Sequence, residues 1–193
     1  INTDLLTKLN KSNIKIDSLN SQLDKMKKKV TFYIPTFNSN KTLEPCLNSI
    51  INQSIVPSEI IIIDANKTIE FSKNLVKKIK KTLDITIKII HQDPVNSNIK
   101  KGLAAARNIA INNSKYEFIA SCDSDVILDQ YWLEYNLIHF LDKNVVGICG
   151  NMIERKTTKF DKWRSIHMKQ NWGKKTITNP PFLFLPFFSN IFS

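Results

Sequence analysis

The sequence predicts an α/β protein: a mostly parallel central sheet with helices on both faces, preceded by an N-terminal helix. Short runs dense in Ile and Val recur between residues 30 and 122, each bounded by turn-forming residues, as in strands buried on both faces. Segments of helical spacing separate these runs, and such strand–helix alternation makes successive strands parallel. The residues that follow several of the runs are polar. In an open α/β sheet that is the edge at which ligands bind.

Residues 1–29 read as a helix, because Leu5, Leu9, Ser12, Ile16, Leu19, Leu23 and Met26 recur at alternating steps of four and three. This is the a/d spacing of a coiled coil, interrupted only at Ser12. Such a stripe fits two arrangements: a parallel dimer, that is a homo-oligomer formed through residues 1–29, or a helix docked on its own domain. Lys25, Lys27, Lys28 and Lys29 close the segment as a solvated charge run. Strands are predicted at Val30–Pro35, Ile60–Asp64, Ile85–Ile90 and Phe118–Cys122, with helices at about 41–52, 70–82 and 101–113 between them. A helix near 130–142 and a strand at Val145–Cys149 continue the layout. Residues 30–150 thus form the principal domain. Residues 151–193 begin a further region, where Trp163, His167, Gln170 and Trp172 lie close in sequence ahead of the run Asn179–Phe184.

A chain of 193 residues with 42% hydrophobic content can bury one substantial core. Lys and Arg number 28 against 17 Asp and Glu, a net charge of +11, but 11 Phe and 3 Trp are too many for a disordered basic tail. The four glycines permit neither G-x-G-x-x-G nor a P-loop, which excludes the dinucleotide folds and the P-loop enzymes. The three cysteines form no C-x-x-C and the three histidines no H-E-x-x-H, so structural zinc, zincin chemistry and a disulfide framework are not expected. Cytoplasmic residence follows as the expectation, in solution or at the cytoplasmic face of a membrane by peripheral association. No apolar run approaches the roughly 18 residues that cross a bilayer. The lysines are scattered and no nucleic-acid motif is present, so nucleic acid is not an expected partner. Because the chain opens on Ile1 and ends in an aromatic run, a fragment is expected.

The chemistry gathers after the strands. Pro35-Thr36-Phe37-Asn38 follows the first, Asp64-Ala65-Asn66 the second, and Asp123-Ser124-Asp125 the fourth. Two aspartates two residues apart beyond an apolar strand offer the hard oxygen ligands that Mg²⁺ or Mn²⁺ prefers, and a metal-bound diphosphate is the natural third party. Lys101 and Arg107 flank Gly102 and an alanine-rich helix start, supplying cations nearby.

In this order, Pro35-Thr36-Phe37-Asn38, the helix close Leu47 to Ser54, the strand Glu59 to Lys67, the G-x-x-x-A-R-N run Gly102 to Asn108, and Asp123-Ser124-Asp125 resemble the donor-binding half of family 2 glycosyltransferases, from about Val30 to Gly150. The resemblance implies a Rossmann-like GT-A fold, a three-layer sandwich of the nucleotide-diphospho-sugar transferase superfamily. It implies a UDP- or GDP-linked sugar donor held by Pro35, Thr36, Asp64, Gly102, Arg107 and Asp123, with Mn²⁺ or Mg²⁺ on Asp125 and Asp123. The acceptor would be a saccharide or a lipid-linked molecule in polysaccharide, glycolipid or glycoprotein synthesis. Transfer would invert the anomeric centre, and the catalytic base is expected beyond Ser193, since no acidic pair follows Asp161. Ala65 departs from the family's usual second aspartate. Two rival readings remain at this level: a haloacid-dehalogenase-like phosphatase with Asp123 as nucleophile, and a non-enzymatic basic module tethered by its coiled coil.

Overall fold

A computed structural model of the chain describes residues 3–80, 85–93, 95, 98, 101–150, 159, 162 and 163. The elements run α1 (Thr3–Lys27), β1 (Val30–Thr36), α2 (Leu43–Ile51), β2 (Glu59–Asp64), α3 (Glu70–Lys80), β3 (Thr86–His91), α4 (Leu103–Asn113), β4 (Phe118–Ser121) and α5 (Trp132–His139). The four strands pair in the order β3-β2-β1-β4, and every pairing is parallel.

The uninterrupted apolar character of β1 and β2 reflects their central place, because each must present an apolar side chain to both faces of the sheet. Phe32, Ile34, Ile60 and Ile62 pack with Leu43, Leu47 and Ile50 of α2 and with Leu75, Val76 and Ile79 of α3. Their neighbours in the alternation, Tyr33, Ile61 and Ile63, turn the other way onto Ala106 and Ala110 of α4. Helices therefore cover both faces, giving the three layers that the alternation predicts. Each fully buried Ile side chain contributes roughly 1.5–3 kcal/mol.

A buried polar cluster closes the opposite end of β2. The Glu59 carboxylate pairs with Lys88 on β3, accepts the Thr31 hydroxyl at 2.9 Å and accepts the Lys115 N–H at 3.0 Å. Burial pushes this carboxyl up, but the Lys88 ammonium, the Lys115 N–H and the Thr31 hydroxyl more than offset it, and the group lies below the ordinary value of 4.5. Its stabilisation is therefore fully present above that unfolded-state value and is lost as pH falls through the lowered folded-state value. The urea-midpoint difference between wild type and Glu59→Gln is expected to be constant near neutral pH and to shrink in acid. A gap unchanged in strong acid would contradict this role.

The first helix leaves the body of the domain. Near its C-terminal end Leu23 packs on a cluster of Val30, Ile55, Leu133 and Leu137, whereas Ile16 is 53% exposed. No described helix is long and apolar enough to cross a membrane.

One expectation is overturned. Val145–Cys149 adopts no strand, β4 has no neighbour on its outer side among the described residues, and Val146 is 95% exposed. An apolar run becomes a strand only where a ladder receives its backbone groups, and Gly147 within this run further weakens the tendency. Of the aromatic cluster in residues 151–193, Trp163 is exposed, while His167, Gln170, Trp172 and the run 179–184 lie outside the described residues.

Candidate active site

Parallel pairing brings the strand C-termini to one edge. Thr36 stands beside Asp64, and Asp64 beside His91, in successive registers. The fourth strand ends at Ser121, level with Tyr33, and the chain continues through Cys122 to Asp123-Ser124-Asp125. There the Ser124 hydroxyl meets that of Ser39, from the loop after β1, at 2.7 Å. Thr36, Asp64, Asp123 and Asp125 thus emerge at a common edge, although the first and last lie 89 positions apart in the sequence.

The loops at this edge are laced together. The Ala65 N–H donates to the Thr36 carbonyl at 2.9 Å, and the Asn38 N–H donates to Asn66 Oδ1 at 2.8 Å. Asn38 has φ +52°, a left-handed conformation that Asn tolerates better than most residues. Between Thr36 and Asn38, in the loop after β1, Phe37 is 63% exposed. Its signal in the sequence is the P-T-F-N run itself.

Asp64 turns inward. It is 1% exposed, and both carboxylate oxygens are engaged: Oδ1 accepts the Asn66 backbone N–H at 2.9 Å and its side-chain amide at 2.8 Å, and Oδ2 accepts the Ser72 hydroxyl at 2.5 Å. A buried carboxylate needs such partners. These bonds fix Asn66 at the edge and tie α3 to the end of β2.

Beyond β3, His91 Nε2 lies 2.8 Å from the Asn66 carbonyl oxygen. The buried Gln92 donates its backbone N–H to the Asp64 carbonyl at 2.8 Å and its side-chain amide to the Gly102 carbonyl at 3.2 Å. Gly102 has φ +90°, a backbone that strains any residue with a Cβ. It starts α4, which carries Arg107 to 3.9 Å from the Asp123 carboxylate.

Behind the two aspartates lies a support built by α2. Val126 and Leu128 are buried in the main core, and the Leu128 N–H donates to Ser49 Oγ at 3.1 Å. Gln53 donates its amide to the Asp129 carbonyl at 2.6 Å and to the Ser49 carbonyl at 3.0 Å, and accepts the Leu133 N–H at 2.9 Å. Cys46 and Cys122 stand with their sulfurs 3.6 Å apart, and the Cys46 thiol reaches the Asp123 carbonyl at 3.5 Å. Burial pushes the Cys122 thiol well up, with Cys46 and the two aspartates adding to the effect, so it stays protonated at neutral pH. Replacing Gln53 with Leu is expected to cost about 1–3 kcal/mol in stability, because buried backbone groups lose their partners. An unchanged urea midpoint would show that the clamp is dispensable.

The carboxylates suit a particular kind of cation. Asp125 is exposed and Asp123 half-buried, and among the described residues no group of three or more His, Cys, Asp or Glu converges as a metal site. An all-protein cage is therefore not offered. Two carboxylates at an open edge fit Mg²⁺ or Mn²⁺, which commonly complete their coordination with substrate phosphates and water.

A family model, Glycosyl transferase family 2, matches residues 31–192. The chain belongs to this family.

Among its relatives, chondroitin synthase of Pasteurella multocida (strain Pm70) is 29% identical over 122 residues, 63% of this chain and 12% of that protein. Glycosyltransferase GlyA of Streptococcus pneumoniae serotype 4 is 30% identical over 118 residues, 61% of this chain and 15% of that protein. The chain thus spans a small part of these relatives. The crystal structure of S. aureus TarS 1–349 in complex with UDP-GlcNAc superposes with a TM-score of 0.54 at 21% identity, covering 67% of this chain and 36% of that one. That likeness concerns architecture, and the fold of this glycosyltransferase family 2 chain is the GT-A three-layer sandwich. Of the residues singled out in the sequence, Pro35, Thr36 and Asp64 end β1 and β2, Asp123 and Asp125 follow β4, Gly102 precedes α4, and Arg107 lies within α4, 3.9 Å from Asp123. The clamp of Ser49 and Gln53 and the partner Ser72 did not stand out in the sequence, although Ser49 and Gln53 fall within the family-like run Leu47–Ser54.

Proposed function

We propose that this chain binds a nucleoside-diphosphate sugar, UDP- or GDP-linked, in a divalent-cation-dependent manner and transfers the sugar to an acceptor hydroxyl. The observation that carries the reading is the approach of Arg107 to Asp123, and of Ser124 between the two aspartates to Ser39, beside the sheet edge where Thr36 and Asp64 stand side by side. In this reading Asp125, with Asp123, holds Mn²⁺ or Mg²⁺, which when bound neutralises the diphosphate. Arg107 adds a fixed positive charge where negative charge grows on the departing phosphate. The bond between the anomeric carbon and the phosphate oxygen breaks, and a bond from the acceptor oxygen forms with inversion.

Pro35, Thr36 and the exposed Phe37 border the nucleoside. Asp64 acts as a positioning residue, holding Asn66, while Gly102 admits the backbone close to the diphosphate. No described residue is assigned as the base that deprotonates the acceptor. We take the acceptor to be a saccharide or a lipid-linked molecule; relatives named chondroitin synthase and poly-β-1,6-N-acetyl-D-glucosamine synthase support the saccharide. We place the chain in the cytoplasm or at the cytoplasmic face of a membrane.

Calorimetry tests the reading. UDP or GDP should bind in the presence of Mn²⁺ and lose most of its affinity in EDTA. Binding of neither nucleotide, or equal affinity without the cation, would overturn the proposal. Hydrolysis of a generic phosphomonoester that depends on Asp123 would point to the phosphatase reading instead.

A further inference from the structure

The first helix is 25 residues long, about 37 Å at 1.5 Å per residue. Among the described side chains of its stripe, Leu23 alone joins a core cluster of the domain, near the C-terminal end of the helix. On the same stripe Ile16 is 53% exposed, as Ile14 off the stripe is at 69%, so the side chain is available to a second surface.

The spacing identifies that surface. Read as heptads, the a positions are Leu9, Ile16 and Leu23 and the d positions Leu5, Ser12, Leu19 and Met26. The central layers, Ile16 at a and Leu19 at d, are the combination of a β-branched residue at a with Leu at d that favours two parallel strands. In a parallel, in-register pair every layer meets its own copy: Ile16 against Ile16, Leu19 against Leu19. The flanking g and e positions then place Lys8 near Asn13, Lys15 near Asn20 and Gln22 near Lys27 of the second copy. None of these pairs sets like charges against each other, so identical helices can associate without electrostatic opposition.

We propose that α1 is the dimerisation element of this chain, forming a parallel two-stranded coiled coil with a second copy through the stripe from Leu5 to Leu19. Leu23 marks the base, where each helix rests on its own domain. Ser12 is a polar layer at a d position, which weakens the pair and discriminates against registers that set it opposite a large apolar residue. The association holds two domains side by side at one end of the coil and is independent of the donor cleft.

Light scattering on the full 193-residue chain at high micromolar concentration is expected to give twice the 22.2 kDa monomer mass. Ile16→Lys is expected to return the mass to that of the monomer while leaving the thermal midpoint unchanged at concentrations low enough for both chains to be monomeric, because within one chain the replaced side chain is largely exposed. In a Cys149→Ser background, Ser12→Cys treated with oxidised glutathione should form a covalent dimer, since only the parallel in-register pair sets the two sulfurs opposite each other. A monomer at all concentrations overturns the proposal. So does a dimer that survives Ile16→Lys, which would lie elsewhere on the surface, or a dimer that Ser12→Cys fails to cross-link, which would be antiparallel or out of register.

Discussion

Nucleotide titrations of the Asp125→Ala chain in the presence of Mn²⁺ are expected to show binding weakened by at least about 100-fold, on the order of 3 kcal/mol. Asp125 is exposed at the sheet edge and Asp123 only half-buried, so removing one carboxylate perturbs little of the core. The folded domain should survive, with a urea midpoint close to wild type. The loss arises because a hard cation at this edge has few protein oxygens and depends on each of them. Asp123→Asn should cost less, since an amide oxygen still offers a ligand atom, although the interaction with Arg107 at 3.9 Å is weakened. A stable Asp125→Ala chain that binds UDP or GDP as tightly as wild type would remove this residue from the proposed role.

The second large effect concerns Asp64. Its replacement by Ala leaves the buried Ser72 hydroxyl and two N–H groups of Asn66 without their acceptor, and each unsatisfied buried group costs about 1–3 kcal/mol. A loss of roughly 3 kcal/mol in stability is expected, with nucleotide affinity falling about tenfold as the Asn38–Asn66 loop contact loosens. Asp64→Asn keeps the shape and one acceptor and should lose about half the stability. The comparison separates two roles for this carboxylate. If Asp64→Ala left stability untouched while abolishing nucleotide binding, Asp64 would face the ligand and its inward network would not matter.

Much of this arrangement is legible in the residues alone, for a physical reason. Runs such as Ile60–Ile63 can lie nowhere but between two helical layers, and the polar residues that stop them mark the sheet edge. The D-x-D after Phe118–Cys122 is recognisable on the same grounds. The direction in which Asp64 points is not legible, because its partner Ser72 lies on the next helix and periodicity says nothing of whether a carboxylate faces a cleft or a helix. The clamp of Ser49 and Gln53 escapes notice likewise: polar residues near the end of an amphipathic helix look solvated until the segment after β4 packs over them. Val145–Cys149 misleads in the opposite sense, since apolar composition suggests a strand but cannot supply a neighbour to pair with. On α1 the stripe is plain to read, whereas the docking of Leu23 against Leu133 and Leu137 depends on a helix more than a hundred residues away.

Paramagnetic broadening of backbone amide signals addresses the shared cleft most directly. Titrated with Mn²⁺ alone and then with Mn²⁺ and UDP, the chain should lose the signals of Ser124 and Asp125 first. Those of Asn38 and Asn66, close by across the Ser39–Ser124 contact, should follow as the site fills, which UDP promotes by adding its phosphate oxygens to the cation's ligands. Broadening confined to a different surface, or Asn38 and Asn66 untouched when Asp125 is fully broadened and UDP is saturating, would contradict a cleft common to all four.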